Sequence, residues 1–169
     1  MQDSELDCRN CGAPLTFALD KGYFTCEYCG WLRFPDEPDD GLLDLGVRSA
    51  VECPVCHVPL VLGYARITQV LYCQRCKGLL VPQAAFVLAL QVLRATATNP
   101  PVVPPRMNRD DLRRSICCPH CGRTMDTHPY GGPGNIVVDN CPHCHVNWLD
   151  YREFQRIIDA PGKDRRRPS

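Results

Sequence analysis

Twelve of the thirteen cysteines fall into six Cys-x-x-Cys pairs: Cys8/Cys11, Cys26/Cys29, Cys53/Cys56, Cys73/Cys76, Cys118/Cys121 and Cys141/Cys144. A pair at this spacing sits on one tight turn, so both sulfurs can face one point. Thiolate sulfur is a favoured zinc ligand, and zinc takes four ligands in a tetrahedron. Two such turns, or knuckles, therefore close one shell. Fourteen residues separate Cys11 from Cys26, sixteen separate Cys56 from Cys73, and nineteen separate Cys121 from Cys141. Each interval suits a hairpin that brings the second turn back onto the first. The expectation is three four-cysteine sites and three zinc ions per chain.

Other chemistry fits the pattern less well. Thioredoxin-type redox work needs one pair in a βαβ setting, and none is visible. A catalytic zinc keeps an open position and usually takes His or carboxylate ligands. Four cysteines leave no such position. His57, His120, His128, His143 and His145 are read as solvent-facing loop residues. Cys118 precedes Pro119 as Cys53 precedes Pro54, so Cys118 is favoured as the ligand and Cys117 is left as a free thiol.

Each site needs elements to hold it. In the first, Leu15–Leu19 and Tyr23–Thr25 read as short strands around an Asp20-Lys21-Gly22 turn. In the second the strands are Val61–Tyr64 and Thr68–Tyr72. In the third, Tyr130–Asn135 is an enlarged hairpin turn and Ile136–Val138 the returning strand. The residue after each knuckle often needs positive φ, which Gly12, Gly30 and Gly122 supply freely. His57, Lys77 and His145 take that place elsewhere, at some strain. Trp31, Trp148 and Leu80 are read as packing residues beside the metal sites.

Two helices are expected. Pro82–Arg94 is long enough, lacks glycine and starts on a proline suited to a first turn. Its apolar residues wrap nearly all round, so it should be covered on more than one side. Packing on the second helix, or self-association through residues 82–94, would provide that cover. The second helix is expected from Asp150 to about Ala160, because Asp150 and Glu153 form a capping-box pattern. Leu42–Val47 is read as a short helical turn and Asn108–Ser115 as a short helix.

The organisation read from this is a first unit over 1–34, an acidic linker over 35–51, and a second unit with its apolar helix over 52–94. A Pro-rich and charged linker over 95–116 follows, then a third unit with its capped helix over 117–160 and a basic tail over 161–169. Formal charge is zero overall but uneven: −6 over residues 1–50, +3 over 51–99 and +3 over 100–169. The densest positive charge lies at Arg113, Arg114, Arg165, Arg166 and Arg167, the candidates for any nucleic-acid contact. No stretch reads as a signal peptide, and Ala84–Leu90 is too short to span a bilayer. Thiol pairs in a reducing cytoplasm bind metal more often than they form disulfides, and a cytoplasmic location is expected.

The second and third units resemble the bacterial transcription-factor zinc-finger family, whose ribbons are of the transcription factor IIB type. Cys118-Pro-His-Cys121 and Cys141-Pro-His-Cys144 match its ligands, and Trp148, Leu149, Asp150 and Glu153-Phe154 match the segment that follows. Residues 53–94 match the ligands and Gly78 but depart at Leu80, Val81 and Pro82, like a diverged copy. The first unit is similar only to zinc ribbons in general. The resemblance implies zinc binding and a transcriptional role. The expected fold is a small metal-stabilised α+β chain of three zinc ribbons in series, the last two each followed by a helix. The expected function is non-enzymatic binding of nucleic acid or, alternatively, of a protein partner, with no small-molecule substrate and no membrane. The ribbons carry few Lys or Arg, which favours the protein partner.

Overall fold

The computed structural model describes residues 7–18, 23–33 and 41–166. The first unit forms its own three-stranded antiparallel sheet of β1 (Thr16–Ala18), β2 (Tyr23–Thr25) and β3 (Leu32–Arg33), in that order. The expected turn at residues 20–22 lies outside the described residues.

The second and third units do not stand in series. They share one seven-stranded sheet. It is built from β4 (Leu42–Glu52), β5 (Pro59–Ala65), β6 (Thr68–Tyr72), β7 (Leu79–Pro82), β8 (Asp126–Pro129), β9 (Val137–Cys141) and β10 (Val146–Leu149), in the order β4-β5-β6-β7-β10-β9-β8. Each unit contributes a hairpin and a third strand that leaves its second knuckle. A third strand with an open edge exposes unpaired backbone groups. Here β7 and β10 pair with each other and cover both edges, with Leu79 opposite Leu149, Leu80 opposite Trp148 and Val81 opposite Asn147. Counted from the ligands, Leu80 and Trp148 are equivalent positions, each four residues past its knuckle. A residue paired with its own equivalent places a local two-fold relation at the centre of the sheet.

Side chains alternate across a strand, so the sheet has two working faces. On one face Val61, Tyr72, Leu79, Val81, Val138 and Leu149 form a core with the two helices. These are α1 (Gln83–Thr96) and α2 (Glu153–Asp159). On the other face Leu60, Leu80, Ile116, Met125, Val146 and Trp148 pack with buried cysteines of the second and third sites.

Several expectations need correction. Leu42–Val47 is not a helical turn but the first half of β4, so the sheet begins inside the stretch read as a linker. The hydrogen-bonding edge of β5 needs a partner, and β4 supplies it with bulges between Asp44 and Val47 and between Arg48 and Glu52. Asn108–Ser115 contains only a 3-10 turn at Asp111–Arg113. The second helix starts at Glu153, not Asp150, because Arg152 before it takes a left-handed φ of 67°. Only half of the capping box forms: the Glu153 carboxylate accepts the Asp150 backbone N–H at 2.7 Å, while the Asp150 side chain is engaged elsewhere. Helix α1 is covered on one side only, where it buries Phe86, Ala89, Leu90 and Arg94; Val87, Leu88 and Val92 remain exposed.

Helix α1 packs on α2 through Phe86 and Phe154, whose ring centroids lie 6.1 Å apart. Buried Arg94 extends this contact. Its guanidinium donates to the carbonyls of Ile157 and Ala160, the latter at 2.9 Å, and pairs with Asp164. Carbonyls at the end of a helix lack intrahelical partners, and a cation there satisfies them. No helix among the described residues is long and apolar enough to cross a membrane.

Candidate metal centres

Each knuckle is a closed turn. The N–H four residues after the first cysteine donates to that cysteine's carbonyl, as in Gly12 to Cys8 at 2.7 Å and His57 to Cys53 at 2.9 Å. The first cysteine's own N–H donates to the residue five places on, as in Cys8 to Ala13 at 2.7 Å and Cys73 to Gly78 at 2.9 Å. This winding forces positive φ after the second cysteine. Gly12, Gly30 and Gly122 take 72–75°, and His57, Lys77 and His145 take 54–61°. The strain expected at those three residues is present.

The turns converge in pairs as the intervals suggested. Cys8, Cys11, Cys26 and Cys29 form one cluster; Cys53, Cys56, Cys73 and Cys76 a second; Cys118, Cys121, Cys141 and Cys144 a third. In each, all four sulfurs lie within 4.8 Å of one another. The closest approaches are Cys8–Cys29 at 3.6 Å, Cys11–Cys26 at 3.5 Å, Cys53–Cys76 at 3.7 Å and Cys121–Cys141 at 3.7 Å. A disulfide would require about 2.0 Å. A tetrahedron with metal–sulfur bonds of about 2.3 Å has edges of about 3.8 Å. Backbone N–H groups also point at sulfur: Cys56 to Cys53 at 3.2 Å, Cys76 to Cys73 at 3.4 Å and Cys144 to Cys141 at 3.4 Å. Such donors favour thiolate, the form that binds metal. The donor set therefore fits a tetrahedral thiophilic ion.

Crowding four sulfurs together splits their proton affinities. Hydrogen bonds from Asn10 and then Trp31 draw Cys29 down to about 6, and the backbone at Arg123 helps to draw Cys121 down to about 7. Burial pushes Cys53 up to about 11 and, with its sulfur neighbours, Cys144 up to about 12. A divalent cation at the centre stabilises all four thiolates at once.

The clusters differ in cover. Cys53, Cys73, Cys118 and Cys141 are buried in one shared apolar layer, and their partners are half-buried. In the first cluster Cys11 and Cys29 are exposed. Trp148 is fully buried within the shared layer and cannot reach a nucleic-acid base; Trp31 is half-buried. Cys117 is exposed and outside the third cluster. All five histidines are exposed, and none belongs to a cluster.

The cationic candidates divide. Arg114 pairs with fully buried Asp139 and with Asp150, the latter at 2.7 and 2.9 Å. Asp150 also accepts the Trp148 indole N–H at 3.2 Å, so Arg114, Asp150 and Trp148 form one network beside the third cluster. Arg165 is buried and donates to Ile158 and, at 2.7 Å, to the Asn99 carbonyl. Its guanidinium is therefore enclosed, not carried on a free tail. Arg113 is exposed and meets Asp110 at 3.5 Å; Arg166 is exposed; Arg167 lies outside the described residues. Asp111, Asp150 and Glu153 also converge, and Arg114 opposes their charge through Asp150. One sign of this network is visible in the sequence: acidic Asp139 closes the apolar run Ile136–Val138.

No family model, curated protein or solved structure matches the chain.

Proposed function

We propose that this chain is a non-enzymatic zinc protein, with one zinc ion in each four-cysteine cluster, and that it works by binding another protein. The observation that carries the zinc assignment is the sulfur spacing of 3.5–3.7 Å, close to the edge of a zinc–thiolate tetrahedron. A shell of four thiolates leaves no position for water or substrate, so the role assigned to each ion is structural. Structural zinc contributes on the order of 10–16 kcal/mol in small ribbons, against about 5–15 kcal/mol of net stability for an ordinary domain.

The choice of a protein partner is supported by Arg114 and Arg165, two of the cations a phosphate backbone would need. Both are engaged within the fold. The resemblance to transcription-factor ribbons supports nucleic acid as a second reading, with exposed Arg113 and Arg166 as its available contacts. A pull-down from cell extract with and without nuclease separates the two. Partners that persist after nuclease treatment support the first reading. Loss of every partner on nuclease treatment would overturn it in favour of the second.

A further inference from the structure

The helix-side core is open at one end. A cleft of about 260 Å³ lies where the outer strands of the second ribbon meet the start of α2. Its apolar residues Ala65, Leu79 and Phe154 are buried members of that core, and so is Tyr72, whose hydroxyl donates to the Asp44 carboxylate. Its charged lining is Lys77, Arg152 and Asp44. The Asp44 carboxylate already accepts the Gly46 N–H at 2.7 Å and the Gln74 amide at 2.9 Å. Counted formally, two cations and one carboxylate give the lining a net charge of +1, with Lys77 close enough to act on Asp44 and Arg152 lying over the Tyr151 ring.

The third ribbon carries different residues at the equivalent place. Tyr72 and Leu79 face each other across β6 and β7. Their equivalents, counted from the ligands, are Asn140 and Asn147, which face each other across β9 and β10. The two asparagines are joined by a 2.7 Å hydrogen bond. One ribbon thus carries a hydrogen-bonded amide pair where the other carries the Tyr72 ring and Leu79 beneath an opening. Strand β4, which lines the cleft through Leu42 and Asp44, adds a wall that has no counterpart beside β8 among the described residues.

We propose that this cleft receives one apolar side chain, of leucine or phenylalanine size, from an acidic segment of a partner protein. The volume lies below the roughly 300–1,000 Å³ of sites for drug-sized ligands, which suits a single side chain. Buried apolar anchors of this kind dominate protein interfaces, and the surrounding charge selects the partner. The proposal rests on the protein-binding reading above and names the chemistry of its partner.

The test uses the full chain loaded with zinc and three capped peptides: Gly-Asp-Phe-Asp-Gly, Gly-Lys-Phe-Lys-Gly and Gly-Asp-Ser-Asp-Gly. The first should shift the NMR amide signals of Ala65, Leu79 and Phe154 and saturate. The other two should bind at least about ten-fold more weakly, the equivalent of about 1.4 kcal/mol. Replacing Lys77 and Arg152 together by Asn should weaken the first peptide by a similar factor. Asn tolerates the left-handed backbone at both positions, so charge is lost with little added strain. Ala65→Leu should fill the cleft and abolish the shifts; if that variant fails to fold, the Asn pair decides alone. Shifts elsewhere, no shifts, or equal affinity for the Lys-flanked peptide would overturn the proposal. Partners captured after nuclease treatment equally by wild type and Ala65→Leu would sink the cleft and leave the protein-binding reading standing. Failure to capture any protein would sink that reading, and the peptide titration would then decide the cleft by itself.

Discussion

Trp148 occupies the space that a side chain at Gly78 would need: a Cβ on Gly78 would lie 2.2 Å from Trp148 Cζ2. The two residues belong to different ribbons, Gly78 just before β7 and Trp148 on β10. The indole cannot swing aside freely, since it is fully buried and donates to Asp150. The centre of the sheet is therefore a fit between two unequal copies of one unit, large against absent.

This relationship predicts a specific non-additivity. Gly78→Ala alone should cost about 1–3 kcal/mol through overpacking. Trp148→Leu alone should cost about 3 kcal/mol through lost burial and a cavity. In the double variant the Gly78→Ala penalty should largely vanish, because the colliding ring is gone. Denaturant melts of the four proteins give the coupling directly. Additive penalties would mean that the ring and the glycine do not meet.

The same fit couples the second and third metal sites. Their buried cysteines share one apolar layer with Leu80 and Trp148, whereas the first site stands on its own sheet. Cys53→Ser should therefore speed chelator-driven metal loss from the third site as well as the second. Cys8→Ser should leave both unchanged. Cobalt-substituted protein makes the loss visible by absorbance; independent release in both variants would contradict the coupling.

Arg94 offers a test on the helix face. It is the one charged residue of α1, it is buried, and it holds the end of α2. Arg94→Met should cost about 1–3 kcal/mol, because the carbonyls of Ile157 and Ala160 lose their donor while enclosed. Asp164→Asn should cost less than about 1 kcal/mol, since that carboxylate is largely exposed. Thermal melts of the two variants should rank in that order; equal losses would show that the ion pair, not the helix end, is what matters.

Glu153 should make stability depend on pH. Burial raises its pKa to about 7, with the nearby Asp150 charge adding to the rise and the Asp150 N–H opposing it. The ordinary value is about 4.3. The folded chain thus holds the proton more tightly than the unfolded chain, so stability falls as pH rises between those values. The full difference is on the order of 4 kcal/mol. Between pH 6 and 8 the Glu153→Gln protein should gain on wild type as pH rises. A constant gap across that range would remove Glu153 as the cause.

How much of this was legible in the sequence depends on how local the cause is. Knuckle geometry is local, so the pairing of the cysteines and the positive φ at His57, Lys77 and His145 follow from spacing alone. Strand β6 and helix α1 also stand close to where their residue patterns put them. The pairing of β7 with β10 was not legible. Each is four residues long, too short for alternation to show, and each is stabilised by a partner some seventy positions away. Strand β4 was missed for a related reason: Gly46 breaks its pattern, and β5 supplies its pairing. Arg114 and Arg165 looked like surface cations because charge runs usually are. Their roles depend on Asp139, Asp150 and Asn99, which the fold brings to them.

The central claim is that all three clusters bind zinc. The most direct measurement is metal content and mass of the intact chain, by native mass spectrometry with elemental analysis, purified without added metal. The expected result is three zinc ions per chain, with twelve thiols protected from alkylation until a chelator is added and Cys117 reactive throughout. A chain that carries no metal and whose paired cysteines react freely, or one that carries iron with a redox signature, would contradict it.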